Sequence, residues 1–349
     1  MKIIFVTSTL HAGGSERVIA LLANAFANKG YVVDILCLNK HIQFYELHKD
    51  VNAIHVEDYV GKSIWRKVLW LRRFVKQERP DIVIAFMLEV FCLTLFALIG
   101  VRVPVISSER IDPHFFGRAK GFLRWLLLRR TTHLVVQTEQ IKGFYSEKLQ
   151  QRTTIIPNPV SDKVFDIQPV KKEKRLIAVG RLAYQKNYPM MFRCFKMLLN
   201  NFPDYTLYVY GDGPQKLEIE QYIKSEGLER QVILAGKTEE IVTELNRSTA
   251  FVMTSDYEGL SNAMLEALCV GLPIVTTDVS GAKDLIENGI NGYVTPVHDE
   301  TAFVTALTKL LSDPQLMKVM SLNNRKKADV YRTEKIVELW ESLINKITN

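Results

Sequence analysis

Cysteine is scarce: four in 349 residues, at positions 37, 92, 194 and 269, with no CxxC pair and no His/Cys cluster at metal-ligand spacing. That excludes a disulfide scaffold and the common zinc modules, and it reads as reduced core thiols of a cytosolic protein. Long hydrophobic runs are missing as well. The one candidate span, residues 82–99, is interrupted by Glu89 and Thr94 and falls short of the roughly 20 apolar residues a membrane crossing needs. A strand over Ile82–Phe86 followed by a buried helix over Glu89–Ile99 accounts for it better. The opening Met1–Thr7 turns polar too soon for a secretory leader and reads as a first strand. No GxGxxG follows that strand, and the second strand ends in Leu38-Asn39-Lys40 rather than in an acid, which disfavours a dinucleotide cofactor and a nicotinamide dehydrogenase. Acidic residues are thin in one stretch. Residues 60–130 hold 14 Lys and Arg against 5 Asp and Glu, and the excess belongs to the first half: 1–165 carry 23 against 14, the remainder 22 against 24.

What is present is an alternation of strand-like and helix-like segments. Apolar residues at 47% and charged residues at 24% suffice for two buried cores. Strands are expected at Ile3–Thr7, Val32–Leu38, Ile82–Phe86, Val103–Ser107 and His133–Thr138. Helical runs are expected at Ser15–Asn28 and near 63–78, 89–99 and 118–130. The rhythm pauses at Ile155-Ile156-Pro157-Asn158-Pro159-Val160 and a charged stretch over 171–175, a linker. It restarts with strands at Leu176–Val179, Thr206–Tyr210, Val232–Leu234, Ala250–Met253 and Pro273–Thr276. The fold class is α/β: two doubly wound Rossmann-like domains, 1–160 and 161–332, facing across a cleft, with an amphipathic helical tail over 333–349.

The densest signal is Tyr257-Glu258-Gly259-Leu260-Ser261-Asn262-Ala263-Met264-Leu265-Glu266-Ala267. Strand, glycine turn and helix in that order aim backbone N–H groups at an anion. A carboxylate at either end suits hydroxyls on both sides of a phosphate, the layout of a nucleotide sugar. Glu258 sits in the loop, within reach of the sugar. Glu266 lies two helical turns on, roughly 12 Å along the axis, and suits ribose hydroxyls; an exposed helix residue is the other reading. Arg181 and Lys186, in the loop after Gly180, can hold a pyrophosphate by charge-assisted bonds. Gly13 and Gly14 open the first helix and leave its N–H groups for an anion; a plain turn capped by Ser15 is the alternative. Gly211, in Gly211-Asp212-Gly213-Pro214, is either a structural turn, with Pro214 in a first helical turn, or backbone lining of the donor site. Glu109, Asp112 and His114 follow a strand of the first domain and offer groups for acceptor binding or proton transfer. Two helices interleave Trp, Leu and Arg: Trp65–Phe74, with Arg66, Lys67, Arg72 and Arg73, and Phe122–Arg130. That is the composition of an interfacial helix on anionic lipid, although a core-packed helix with a basic outer face has it too. No nucleic-acid module accompanies the basic stretch, so nucleic acid is not expected as a partner.

Taken together, these stretches resemble the family 4 glycosyltransferases of the GT-B fold. The likeness rests on Gly13–Arg17, Ser108-Glu109-Arg110, Ile156–Pro159, Val179–Leu182 with Lys186-Asn187, Tyr210–Pro214, and Glu258 to Glu266 followed by Gly271–Val275. It implies that Arg181 and Lys186 neutralise the donor diphosphate. It implies that Glu258 with the backbone of Gly259, Leu260, Ser261 and Asn262 holds the sugar and β-phosphate, and that Glu266 binds ribose. The Gly13-Gly14 loop would lie against phosphate or acceptor. Catalysis would fall to Glu258, Arg181 and Lys186, with retention of configuration and no metal or cofactor beyond the UDP-sugar. The leaving diphosphate would deprotonate the acceptor, which makes a protein base unnecessary. The final helix, from 333, would cross back to the first domain. The implied activity moves a hexose or N-acetylhexosamine to a polyprenyl-diphosphate-linked glycan, in bacterial surface polysaccharide or glycoprotein glycan assembly, at the cytoplasmic face of the plasma membrane. The partners are a nucleotide sugar, a lipid-linked saccharide and an anionic membrane surface. The rivals are a soluble transferase using a small or protein acceptor, and a nucleotide-sugar-binding module without catalysis.

Overall fold

The computed structural model describes residues 1–348 apart from Ala12, His41, Ile42, Phe116 and Gly117. Two parallel sheets organise it. The first contains β1 (Lys2–Thr7), β2 (Val32–Cys37), β3 (Val51–His55), β4 (Ile82–Phe86), β5 (Val105–Ser108), β6 (His133–Val136) and β7 (Thr153–Ile155), in the order β3-β2-β1-β4-β5-β6-β7. The second contains β8 (Arg175–Val179), β9 (Thr206–Tyr210), β10 (Val232–Gly236), β11 (Ala250–Met253), β12 (Ile274–Thr277) and β13 (Gly292–Thr295), in the order β10-β9-β8-β11-β12-β13. Each sheet is doubly wound, its order reversing between β1 and β4 and between β8 and β11. Ligand loops gather at such reversals, beyond the carboxyl ends of the strands.

Central strands read as unbroken apolar runs because helices cover both faces. All five residues of β4, Ile-Val-Ile-Ala-Phe, are buried. On one face of the first sheet the helix Gly14–Asn28 packs with the helix Thr333–Thr348, around Ile3, Phe5, Phe26 and Phe86. On the other face lie the helices Ile64–Glu78, Leu88–Ala97 and Arg118–Leu128. Met1–Pro159 and the segment from Arg332 onward form one compact unit, and Val160–Tyr331 forms the other. Trp340 of the last helix is fully buried and stacks on Phe86 with ring centroids 6.1 Å apart. Lys29 and Tyr31 both meet Glu341, each at 2.6 Å.

Several local expectations need correction. The first helix begins at Gly14, with Gly13 as its cap and no side-chain cap bond, so Ser15 is not the cap. Pro214 stands outside its helix, which starts at Lys216. Strands β3, β7 and β13 were not anticipated. They lie at or near sheet edges and are only partly buried, so they lack the continuous apolar run that announces a central strand. The residues from 82 to 99 form β4 and a ten-residue helix, and among the described residues no helix is long and apolar enough to cross a membrane. All four cysteines are buried and free, and burial pushes the Cys37, Cys92 and Cys194 thiols up to about 12, which leaves them unreactive.

Candidate functional site

The loops after β8 and β11 flank the reversal of the second sheet, and their side chains are laced together. Glu258 is 8% exposed. Its carboxylate takes a 2.6 Å ion pair from Lys186 Nζ, a 2.8 Å bond from Ser255 Oγ and a 3.2 Å bond from Gln185 Nε2. Gln185 Nε2 also donates to the Tyr257 carbonyl at 2.8 Å. Lys186 reaches Glu258 by lying across Gly180: a Cβ there would stand 2.8 Å from Lys186 Cε. Lys186 therefore faces a carboxylate of its own protein, whereas Arg181 is exposed, with no ion-pair partner among the described residues.

Behind this pair is a second bridge that the sequence did not announce. Asn187 Nδ2 donates to Asp256 Oδ1 at 2.8 Å, and His298 Nδ1 lies 3.4 Å from Asn187 Nδ2 and 3.7 Å from Asp256 Oδ1. Asn187 caps the helix Tyr188–Leu198 through its Oδ1. Asn187 and His298 both hold positive φ, 48° and 66°, a region that costs a non-glycine residue energy and persists where surrounding contacts over-determine it. Thr254 Oγ1 reaches the carbonyls of Lys186 and Asn187 at 3.1 and 3.0 Å. The only hint in the sequence is that Asn tolerates the left-handed region better than most residues.

Ser261 caps the helix Asn262–Cys269, its Oγ accepting from Met264 N. Gly259 and Leu260 are buried and Asn262 half-buried. Glu266 is 4% exposed among Met264, Leu265, Ala267 and Leu268, which rules out the exposed-helix reading. Gly211 has φ +142°, and a Cβ on it would lie 1.9 Å from the Gly180 carbonyl; one on Gly213 would lie 2.3 Å from the Leu182 carbonyl. These glycines let the turn after β9 lie directly on the Gly180 loop. Among the described residues no group of acids, His and Cys could hold a metal ion.

In the first unit, the Glu16 carboxylate folds over Gly13 and takes a 2.7 Å bond from Ser15 Oγ. The helix end expected to be open to an anion thus carries a carboxylate. Glu109 is fully buried, accepts a 3.2 Å bond from Tyr145 Oη and leaves Oε1 without a partner. Burial pushes its carboxyl up to about 7, against the opposing pull of Arg124. Neighbouring Arg110 is pushed down to about 9 by its own burial. It donates to Asn158 at 2.7 Å and lies over Phe86, 4.6 Å from the ring centroid. Glu109 is thus placed beneath the surface rather than at it. Asp112 is buried and holds His114 Nδ1 at 2.7 Å, while the His114 side chain is 57% exposed. A carboxylate only accepts, so Nδ1 carries the hydrogen of this bond.

The basic helix divides. Lys67 is buried, with Nζ 2.7 Å from Asn39 Oδ1 and 3.7 Å from Glu57. Arg72 caps the helix Leu88–Ala97, donating to the Ala97 and Ile99 carbonyls at 2.9 and 2.6 Å. The structure gives these two internal work, and Arg66 and Arg73 remain exposed. The outer surface of this helix layer interleaves those cations with apolar side chains: Ile64, Trp65, Leu69, Phe96, Phe122, Leu123, Trp125 and Leu126 are all exposed.

Comparison with known proteins follows the same lines. A family model described as "Glycosyltransferase Family 4" matches residues 12–164, and one described as "Glycosyl transferases group 1" matches residues 160–327. The chain is 30% identical, over 80% of each chain, to the Escherichia coli UDP-Gal:alpha-D-GlcNAc-diphosphoundecaprenol alpha-1,3-galactosyltransferase. It is 27% identical, over 100% of its own length and 99% of the relative, to a Campylobacter jejuni alpha-1,4-N-acetyl-D-galactosaminyltransferase named for a diNAcBac-PP-undecaprenol-linked glycan. In fold it is similar to Anabaena HepE in complex with UDP and glucose, with a TM-score of 0.84 and 17% identity over 99% of this chain and 100% of that one.

Proposed function

Since the chain belongs to the family 4 glycosyltransferases of the GT-B fold, we propose that it moves a hexose or N-acetylhexosamine from a UDP-sugar to a polyprenyl-diphosphate-linked glycan, with retention of configuration and without a metal. The observation that carries this reading is the Lys186–Glu258 pair at the reversal of the second sheet. An ammonium and a carboxylate stand together there, beside an exposed guanidinium and a capped helix N-terminus. An incoming diphosphate competes for Lys186 and draws Arg181, and Glu258, relieved of its cation, turns to sugar hydroxyls. The N–H groups at the Gly259–Asn262 turn meet the β-phosphate, and Glu266 serves the ribose.

In the transfer step an acceptor hydroxyl oxygen bonds to the anomeric carbon while the bond from that carbon to the diphosphate oxygen breaks. The electron pair leaves with UDP, and the hydroxyl proton passes to the departing diphosphate. Arg181 and Lys186 stabilise the charge that develops on the leaving group, the work a divalent cation does elsewhere. On the first unit, the exposed imidazole of His114, oriented by Asp112, hydrogen-bonds an acceptor hydroxyl, and Arg66 and Arg73 supply positive charge for a diphosphate. The exposed apolar layer over Ile64–Leu69 and Phe122–Leu126 rests on an anionic membrane surface, where such an acceptor resides. The names of the two bacterial relatives support a lipid-linked acceptor.

The test is a panel of UDP- and GDP-sugars, offered without metal and with or without a polyprenyl-linked acceptor. Nucleotide release that depends on one donor and rises with the acceptor is expected. No binding or turnover of any sugar nucleotide sinks the proposal, and turnover with a small soluble acceptor alone replaces the lipid-linked reading with the soluble one.

A further inference from the structure

A recess in the first unit, formed where the helix Ile64–Glu78 turns into β4 and where residues 100–103 lead into β5, is lined by Val75, Lys76, Arg79, Pro80, Gly100 and Arg102, with Val101 and Val103. It lies at the amino ends of β4 and β5, the end of the sheet opposite the ligand loops. Three exposed cations line it and no acid does. Lys76, Arg79 and Arg102 have no side-chain hydrogen-bond or ion-pair partner among the described residues. The nearest acids in sequence are already spent: Glu78 pairs with Lys2 Nζ at 2.6 Å, and Asp81 accepts the Lys2 backbone N–H at 2.6 Å. The recess adjoins the apolar side chains of the helix layer through Ile99. Ile99, 37% exposed, precedes Gly100; Trp65 and Phe96 meet with ring centroids 6.0 Å apart. Arg72 bonds the Ile99 carbonyl from the same helix that carries Lys76.

An aromatic and aliphatic strip running into an unpaired cationic recess has the amphiphilic pattern of one lipid. We propose that this recess binds the phosphate headgroup of an anionic membrane phospholipid, with Ile99, Phe96 and Trp65 against its apolar part. The inference rests on the membrane reading above and adds a discrete headgroup site to it. Juxtamembrane cations gain about 1 kcal/mol each at an anionic surface, so removing three weakens partition by about 100-fold.

The experiment is co-sedimentation with vesicles of phosphatidylcholine and phosphatidylglycerol, against phosphatidylcholine alone. The variants are Lys76→Gln/Arg79→Gln/Arg102→Gln and a control, Lys216→Gln/Lys224→Gln/Lys318→Gln, which removes as many exposed charges from the second unit; thermal melting confirms that both fold. The recess variant is expected to lose about 100-fold in partition and the control less than about 3-fold. Equal losses in the two, or none in the recess variant while the wild type binds, overturn the headgroup site and leave the membrane reading standing. A wild type that does not sediment with either vesicle overturns both. Calorimetric titration with inorganic phosphate separates the sources: no binding tighter than millimolar is expected, and tight binding abolished by the recess variant makes this a site for a free anion, overturning the lipid assignment.

Discussion

Lys186 Nζ lies 2.6 Å from Glu258 Oε1, with 14% and 10% of the two side chains exposed. The two groups that the proposed function assigns to the donor thus lie in each other's charge. The pair keeps both in place and keeps either from standing uncompensated in a half-dry site.

Separating that pair gives the first prediction. Lys186→Met and Glu258→Gln are each expected to lower turnover by about 100-fold or more. Each also costs about 1–3 kcal/mol of stability, because the survivor is left without its partner. The double variant is expected to be no less stable than Lys186→Met alone, as read by urea denaturation. Near-normal turnover in both single variants removes the roles assigned to them.

Gly211 gives a steric prediction. Gly211→Ala puts a methyl carbon 1.9 Å from the Gly180 carbonyl, so one of the two loops must move. Donor affinity is expected to fall at least about 10-fold, with a loss of about 2 kcal/mol or more in stability. Gly143→Ala, in a helix with nothing within 4 Å of the added carbon, is expected to be neutral or mildly stabilising. Matched melting curves and donor titrations decide it; equal behaviour of the two variants refutes the steric account.

Glu109 gives a dependence on pH. Its carboxyl titrates near 4.5 when free and near 7 in the fold, raised by burial. Between those values the folded protein binds more protons than the unfolded chain, so stability falls as pH rises from about 4.5 through 7. The wild type is expected to be more stable at pH 5 than at pH 8 as far as this group is concerned. Glu109→Gln, which stays neutral, is expected to flatten that part of the profile and to be the more stable protein at pH 8. Denaturant midpoints across the range test this, and an unchanged slope in Glu109→Gln rejects the buried-acid assignment.

The Asn187–Asp256–His298 bridge ties together the loops after β8, β11 and β13. Asp256→Ala is expected to raise the donor KM about 10-fold with a smaller change in the acceptor KM, and Asp256→Asn, which can still accept from Asn187, to restore most of it. His298→Asn keeps a residue that tolerates positive φ and removes the imidazole, whereas His298→Gly relieves the backbone as well. Parallel donor KM values for the two His298 variants assign the effect to the imidazole. If only kcat falls in all of these variants, the bridge does not position the donor.

The central strands were legible because a helix-covered parallel strand is apolar on both faces, and β4, β9 and β11 have the bounds that the sequence suggests. The strand, glycine turn and helix around Glu258 follow one another as the sequence suggests, whereas the cap at Ser261 and the pairing of Lys186 with Glu258 come from the structure alone. Buried Lys67 was readable in principle: it shares the stripe of Leu71 and Val75, four and eight residues on. The rest was hidden for physical reasons. That Glu16 closes over Gly13, that Arg72 caps a different helix and that Asp256 meets His298 are contacts between segments distant in sequence or rotamer choices, on which composition and period are silent.

The excursion of the chain through its second unit orders its synthesis. The first unit's sheet emerges early, but Trp340, which fills the space beside Phe86, follows only after the 172 residues of Val160–Tyr331. At 5–20 residues per second that is roughly 10–35 s of translation. Throughout it Ile3, Phe5, Phe26 and Phe86 await their covering helix, so the nascent first unit presents a greasy flank to chaperones while the second unit can already fold.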